Sequence, residues 1–222
     1  MKDKISIEII GMPGSGKSFY QNMLLKKKFF KKKKIIIKNF KILNKIKKIK
    51  YIFSFFFKYP IFFLKTLFLV FSIKDTNLKR RYFYYFYNEI ALWSYFIFSQ
   101  KKGIFINSEG FNYRSAFYFL HQSTKKKLIR YLNSIPKTDI IIFLNSSKFE
   151  NINRANSRKK EFNYKDIDIK NYDKQFKLLK TIFNYYRKKK DTKLFFFKNN
   201  KKNVHRNLNK FKNFINNESI TY

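Results

Sequence analysis

A length of 222 residues with 45% hydrophobic composition suits one domain with ample core material, and the absence of cysteine excludes disulfides, a zinc ribbon and a thiol nucleophile. Lys and Arg number 51 against 13 Asp and Glu, a formal net charge of +38, so polyanions are expected to bind nonspecifically and more weakly as salt rises. Lysine is spread over nearly every segment, and Lys, Asn, Ile, Phe and Tyr, all with AT-rich codons, dominate the composition. Codon drift and attraction to an anionic surface both stay open as origins of the charge. No nucleic-acid recognition motif is visible.

The first element is Ile5–Ile10, a β-branched run that reads as a buried strand. It leads into GMPGSGKS, where Gly11, Gly14, Gly16, Lys17 and Ser18 fit the phosphate-binding pattern G-x-x-x-x-G-K-[ST]. Three of the chain's five glycines fall within these six residues, Gly11 to Gly16. Glycines let consecutive N–H groups curl around a phosphate, and the N-terminus of the following helix adds its positive dipole end. Lys17 can reach the β- and γ-phosphates, the Ser18 hydroxyl can ligate Mg²⁺, and Pro13 stiffens the loop around Ser15. A strand entered within five residues leaves no room for a secretory signal, so a cytoplasmic protein is expected.

Helix Gly16–Lys27 and strand Ile35–Lys38 follow. Residues 40–100 are rich in Phe, Tyr and Lys and read as a helical segment. Its most apolar part, Tyr51–Ile73, is interrupted by Lys58, Pro60 and Lys65, so three readings are weighed. They are helices capping the nucleotide domain, an amphipathic element on an anionic membrane, and a span. Asp75–Ser99 reads as a further helix with Trp93 packing inward. Strand Gly103–Asn107 ends in Ser108, Glu109 and Gly110; a carboxylate there can position Mg²⁺ or accept the proton of an attacking hydroxyl. Arg114, one helical turn on, can anchor an anionic or polar substrate, and the helix is expected to run from Asn112 to Asn133.

Strand Asp139–Leu144 precedes a helix bearing Arg154 and Arg158, four apart and on one face. Arginine is scarce here, 8 of the 51 basic residues, and guanidinium groups stabilise transferring phosphoryl oxygens. Residues 148–172 are expected to act as a lid, with Glu161–Asp173 as its mobile part. Helix Asn171–Lys189, strand Leu194–Lys198 and helix Asn203–Asn216 complete an alternating α/β order that argues for a parallel sheet. His121 and His205 are isolated and make no catalytic or metal case.

Four segments, IEIIGMPGSGKS, GIFINSEGF, DIIIFLNSSKFENINRANSR and KLFFFKNNKKNVHRNLNKFKNFI, carry a resemblance to the P-loop nucleoside and nucleotide kinase superfamily, in its thymidylate kinase and deoxynucleoside kinase branch. The chain is also similar to kinase-like ATP-binding proteins encoded with bacterial surface-polysaccharide genes. The resemblance covers about two-thirds of the chain and implies a three-layer α/β/α P-loop NTPase fold with a five-stranded parallel sheet, order 2-3-1-4-5; residues 40–100 lie outside it and read from their own pattern as a helical insertion. It implies Mg²⁺ and ATP as cofactors and a small-molecule acceptor. Lys17 and Ser18 would take phosphates and Mg²⁺, Glu109 would be base or metal-side carboxylate, and Arg154 and Arg158 would be lid arginines. The expected activity is a Mg-ATP-dependent phosphotransferase acting on a small hydroxyl or phosphate acceptor. Ser108 stands where the family often has Asp, and no Asp-Arg-Tyr or Glu-Arg-Ser motif follows Glu109. These departures motivate an alternative: an ATP-binding accessory protein without efficient transfer, docked through residues 40–73 on an anionic membrane or surface-polysaccharide assembly, peripheral to the inner membrane face.

Overall fold

A computed structural model describes residues 4–26, 35–37, 43–98, 103–120, 125–162, 171–199 and 203–218. The strands are β1 (Lys4–Gly11), β2 (Ile35–Ile37), β3 (Gly103–Asn107), β4 (Ile140–Asn145) and β5 (Lys193–Lys198). All pair in parallel in one sheet, in the order β2-β3-β1-β4-β5. The helices are α1 (Lys17–Lys26), α2 (Lys45–Lys58), α3 (Pro60–Phe71), α4 (Thr76–Phe98), α5 (Phe111–Tyr118), α6 (Lys125–Leu132), α7 (Lys148–Phe162), α8 (Tyr172–Lys189) and α9 (Val204–Glu218).

Alternation along the strands divides the core between the two faces of the sheet. Ile7, Ile9, Ile104, Ile106, Ile140, Ile142 and Phe197 point to one side and pack with Tyr20 and Leu24 of α1 and Leu208 and Phe211 of α9. Ile10, Phe105, Ile141 and Phe143 point to the other, into a cluster built from α2 through α6 and α8. Near-continuous apolar strands are what a sheet covered on both faces requires. The second cluster is rich in rings: Trp93 packs edge-on against Phe105 and Phe111, both at 5.8 Å between centroids. Phe62 meets Phe111 at 4.9 Å and Tyr131 at 5.6 Å.

Residues 43–98 are helical throughout apart from short turns. The side chain of Asn44 accepts from the Lys47 N–H and starts α2; Pro60, tolerated in a first turn, starts α3. The two helices are bent by 111° at that junction, and no single helix among the described residues is long and apolar enough to cross a membrane.

One expected helix is corrected. The run Asn112–Asn133 is not continuous: α5 stops at Tyr118, where Phe119 and Leu120 close a turn by bonds to Ser115 and Phe117. Phe119 then packs on Tyr131 of α6 at 5.4 Å, so burial of the ring competes with helix extension. Of the expected lid, residues 148–162 form α7, residues 163–170 lie outside the described residues, and Tyr172 and Asp173 open α8.

Candidate functional site

Parallel register brings the carboxyl ends of the strands to one edge: Glu8 pairs with Asn107, Gly11 with Leu144, and Asn145 with Lys198. In open α/β sheets, ligands bind outside this edge. The chain leaves β1 through Gly11, turns with the Ser15 N–H donating to the Met12 carbonyl at 3.0 Å, and enters α1 at Lys17. Gly14 has φ +79° and Gly16 φ +90°, the left-handed region that glycine adopts at no steric cost. A Cβ at Gly14 would strike the Asn151 backbone carbonyl of α7, and one at Gly16 would strike the Asn199 side chain. The loop is therefore enclosed by α7 on one side and by the end of β5 on the other.

Lys17 is 8% exposed. Its ammonium donates to the carbonyls of Gly11 at 2.9 Å and Met12 at 3.1 Å and stands 4.3 Å from the Tyr113 ring centroid. The cation is thus kept at the loop by carbonyl dipoles and a π face. Asn199 donates from its amide side chain to the Ser15 carbonyl at 2.6 Å and from its backbone N–H to the Asn145 carbonyl at 2.7 Å, tying loop to sheet edge. The Ser15 hydroxyl is buried and has no hydrogen-bond partner among the described residues. Ser18 is exposed and Pro13 half-buried. Beside the loop lies a cleft of about 500 Å³ whose walls include Asn145, Ser146, Lys148, Tyr172, Lys198 and Asn199. That volume is in the range of small-ligand sites.

The second part of the site grows from the end of β3. The Asn107 side chain accepts from the Glu109 N–H at 3.0 Å and donates to Glu89 of α4. Gly110 caps α5 without a side chain; the cap comes from across the sheet. The buried Glu8 carboxylate accepts from the Tyr113 N–H at 2.8 Å, the Asn112 side-chain amide at 2.8 Å and the Asn112 N–H at 3.4 Å. It lies against Gly110 so closely that a Cβ there would meet its carboxyl carbon at 2.6 Å. Asn112 in turn accepts from the Tyr186 hydroxyl at 2.6 Å. Burial, and to a smaller degree the neighbouring charge of Glu89, raises the Glu8 pKa to about 7, with the helix N–H groups and the Asn112 amide acting in the opposite sense.

Held by this cap, α5 presents Arg114. Its guanidinium donates to the Glu109 carboxylate at 2.5 Å and lies 3.9 Å from the Tyr85 ring centroid. Burial works against the Arg114 cation, yet Glu109, with Tyr118, Tyr113 and Glu89, holds its pKa above the ordinary value. The Glu109 side chain stays 43% exposed. Glu109 and Arg114 are therefore brought together at one end of α5, and Tyr113 of the same helix touches Lys17.

The α7 arginines are placed differently. Arg154 pairs with Glu150 at 3.7 Å along the helix, and the side chain of Arg158 lies outside the described residues. The α7 residue that meets the loop is Asn151, whose side chain donates to the Tyr172 hydroxyl at 2.7 Å and is also bonded to the Ser146 hydroxyl. No cluster of three or more His, Cys, Asp or Glu that could hold a metal occurs among the described residues. Sequence reasoning passed over Glu8, Glu89, Tyr113, Asn151 and Asn199. For Glu8 the signal was present: an acid inside a β-branched strand, in a chain with 13 acids.

The fold, a parallel sheet with a glycine loop between its first strand and first helix, is similar to that of a solved deoxynucleoside kinase. The chain is similar to the structure of deoxyadenosine kinase from M. mycoides with the products dCMP and a flexible dCDP bound. The identity is 16% and the TM-score 0.51, over 96% of this chain and 99% of that one. It is also similar to the same enzyme with bound dCTP, at 17% identity and a TM-score of 0.49, over 96% of this chain and 100% of that one. No family model matches the chain. No curated protein matches it.

Proposed function

We propose that the protein is a Mg-ATP-dependent phosphotransferase of the nucleoside kinase type, acting on a small hydroxyl or phosphate acceptor. The observation that carries this reading is the juxtaposition, at one sheet edge, of the Gly11–Ser18 loop with its Lys17 and the Glu109–Arg114 pair, joined through Tyr113. The loop suits a polyphosphate: its N–H groups line a glycine turn at a helix N-terminus, and it buries an unpartnered hydroxyl on Ser15. Gly14, Ser15 and Gly16 would cradle the phosphates while Lys17 neutralises their charge, turning from the Gly11 and Met12 carbonyls to do so. Ser18, with Glu109 as the carboxylate nearest in role, would hold Mg²⁺, which supplies charge neutralisation on the phosphate oxygens when bound.

Glu109 would accept the proton of the acceptor hydroxyl. Arg114 keeps that carboxylate aimed and charged, and can itself bind an anionic or polar group of the acceptor. Arg154 and Arg158 are proposed to reach the transferring phosphoryl when α7 closes, Arg154 exchanging Glu150 for phosphate oxygens. Catalysis would come mostly from positioning and electrostatics.

Calorimetric titration with Mg-ATP at high salt is the direct test, on wild type and Lys17→Ala. The expected result is saturable binding lost in the variant, with turnover of a deoxynucleoside acceptor lowered by about 10²–10³-fold or more. Equal binding by both proteins would remove the loop from the mechanism. A rate independent of acceptor would remove Glu109 as its base.

A further inference from the structure

The outer surface of α2 and α3 carries a feature the nucleotide reading leaves unused. Ile46, Ile49, Phe53 and Phe57 are exposed and recur at three- and four-residue spacing along α2. Ile61, Leu64, Phe68 and Phe71 do the same along α3. Phe57 is 77% exposed and Phe68 74%. The opposite faces are already used, with Phe55, Phe62, Thr66, Leu69 and Val70 buried. Both helices are thus apolar on two sides, one against the core and one against solvent. Grouped exposed apolar residues of this kind mark an interaction surface.

Charge selects the occupant. From Leu43 to Lys74 there are seven lysines and no acidic residue. Lys50 and Lys65 each follow the first member of a stripe by four residues, so they lie along its edge. At the bend, a cleft of about 370 Å³ is lined by Lys58, Lys65 and Arg130, with Ile61 beside them and no carboxylate among its walls. A second copy of the chain would bring a further +38 against this surface. A spanning arrangement is disfavoured by the 111° bend.

We propose that α2 and α3 lie on the surface of an anionic phospholipid bilayer, their Phe, Ile and Leu stripes set into the interfacial region and lipid phosphates seated at the Lys58–Lys65–Arg130 cleft. Aromatic and aliphatic side chains gain by leaving water at the acyl boundary, while lysines alongside extend to the headgroups. Each lysine near an anionic leaflet adds to the attraction. The assignment does not depend on the phosphotransferase reading.

Vesicle flotation at about 0.15 M salt tests it. Vesicles with roughly 30% phosphatidylglycerol in phosphatidylcholine are compared with phosphatidylcholine alone. Partitioning is expected to be at least about tenfold stronger on the anionic vesicles. Phe53→Ser with Phe57→Ser, Phe68→Ser with Phe71→Ser, and Lys65→Glu with Arg130→Glu should each weaken it by about tenfold or more. These side chains are exposed, and circular dichroism checks that each variant folds. Because the chain has no cysteine, Phe57→Cys gives a single position for an environment-sensitive fluorophore, whose emission should shift to the blue with anionic vesicles. Undiminished binding by the Phe variants would reduce the association to surface charge and overturn the proposal. So would a label that stays water-exposed, an absence of vesicle binding, or a solution dimer that both Phe variants dissociate and that ignores vesicles.

Discussion

Glu8 is an ionisable group in the dry centre of a sheet, and its position has a measurable cost. Its folded pKa is about 7 against an ordinary 4.5. Below the ordinary value it is protonated in both folded and unfolded chains. Between the two values the folded state holds the proton more tightly, so stability falls as pH rises from 4.5 through 7 and then levels. The shift corresponds to about 3 kcal/mol. Urea unfolding at pH 5 and pH 8 should show this loss in wild type, and the difference between the two pH values should shrink by that amount in Glu8→Gln. The same residue explains why local reading of the site was partial. Lys17 and Ser18 are legible because their spacing from the glycines is fixed along the chain. Glu8 and Asn199 act through neighbours 104 and 184 positions away, Asn112 and Ser15, and no local pattern encodes that.

Helix ends decide how the elements stop and start. α8 ends at Lys190, whose φ of 56° places a side-chain-bearing residue in the left-handed region, with its N–H donating to the Tyr186 carbonyl. Lys190→Gly removes that steric cost and should raise stability by about 0.5–1 kcal/mol, read as a higher urea midpoint at unchanged slope. The strands were readable from β-branched and aromatic runs, and their bounds fall within a residue or two of the structure. The break between α5 and α6 was not, because helical spacing continues through it. What ends α5 is the packing of Phe119 onto Tyr131, a tertiary contact that outweighs propensity. An exposed apolar face on α2 and α3 was only one of three readings of Tyr51–Ile73, since Phe on both faces of a helix blurs the period that separates inside from outside.

For the molecule as a whole, +38 on 222 residues is a field that folding must concentrate. Compaction brings lysines nearer one another than in the unfolded chain, and self-repulsion then works against the folded state. Screening reaches about 10 Å at 0.1 M salt and shortens as salt is added. The melting temperature should therefore rise between about 0.02 M and 0.5 M NaCl, and scanning calorimetry or dichroism would record it. A flat or falling profile would show that the native arrangement already separates its cations. Fold class came through this composition because the apolar strand runs and the alternating α/β order survive a lysine-rich surface. An anionic membrane on residues 40–73 stood as one sequence reading among several, because a charge spread over nearly every segment singles out no face.

The ring contacts of Trp93 bear on how ligand binding can be followed. It is the chain's single tryptophan, it is buried, and it packs against Phe111, the first residue of α5. Two residues further on is the Tyr113 that meets Lys17, and three on is Arg114. The protein therefore carries its own optical reporter, wired by van der Waals contact to the helix on which both halves of the site depend. An acceptor or nucleotide that shifts α5 should change the intensity or wavelength of emission from one indole, with no second chromophore of its kind to dilute the signal.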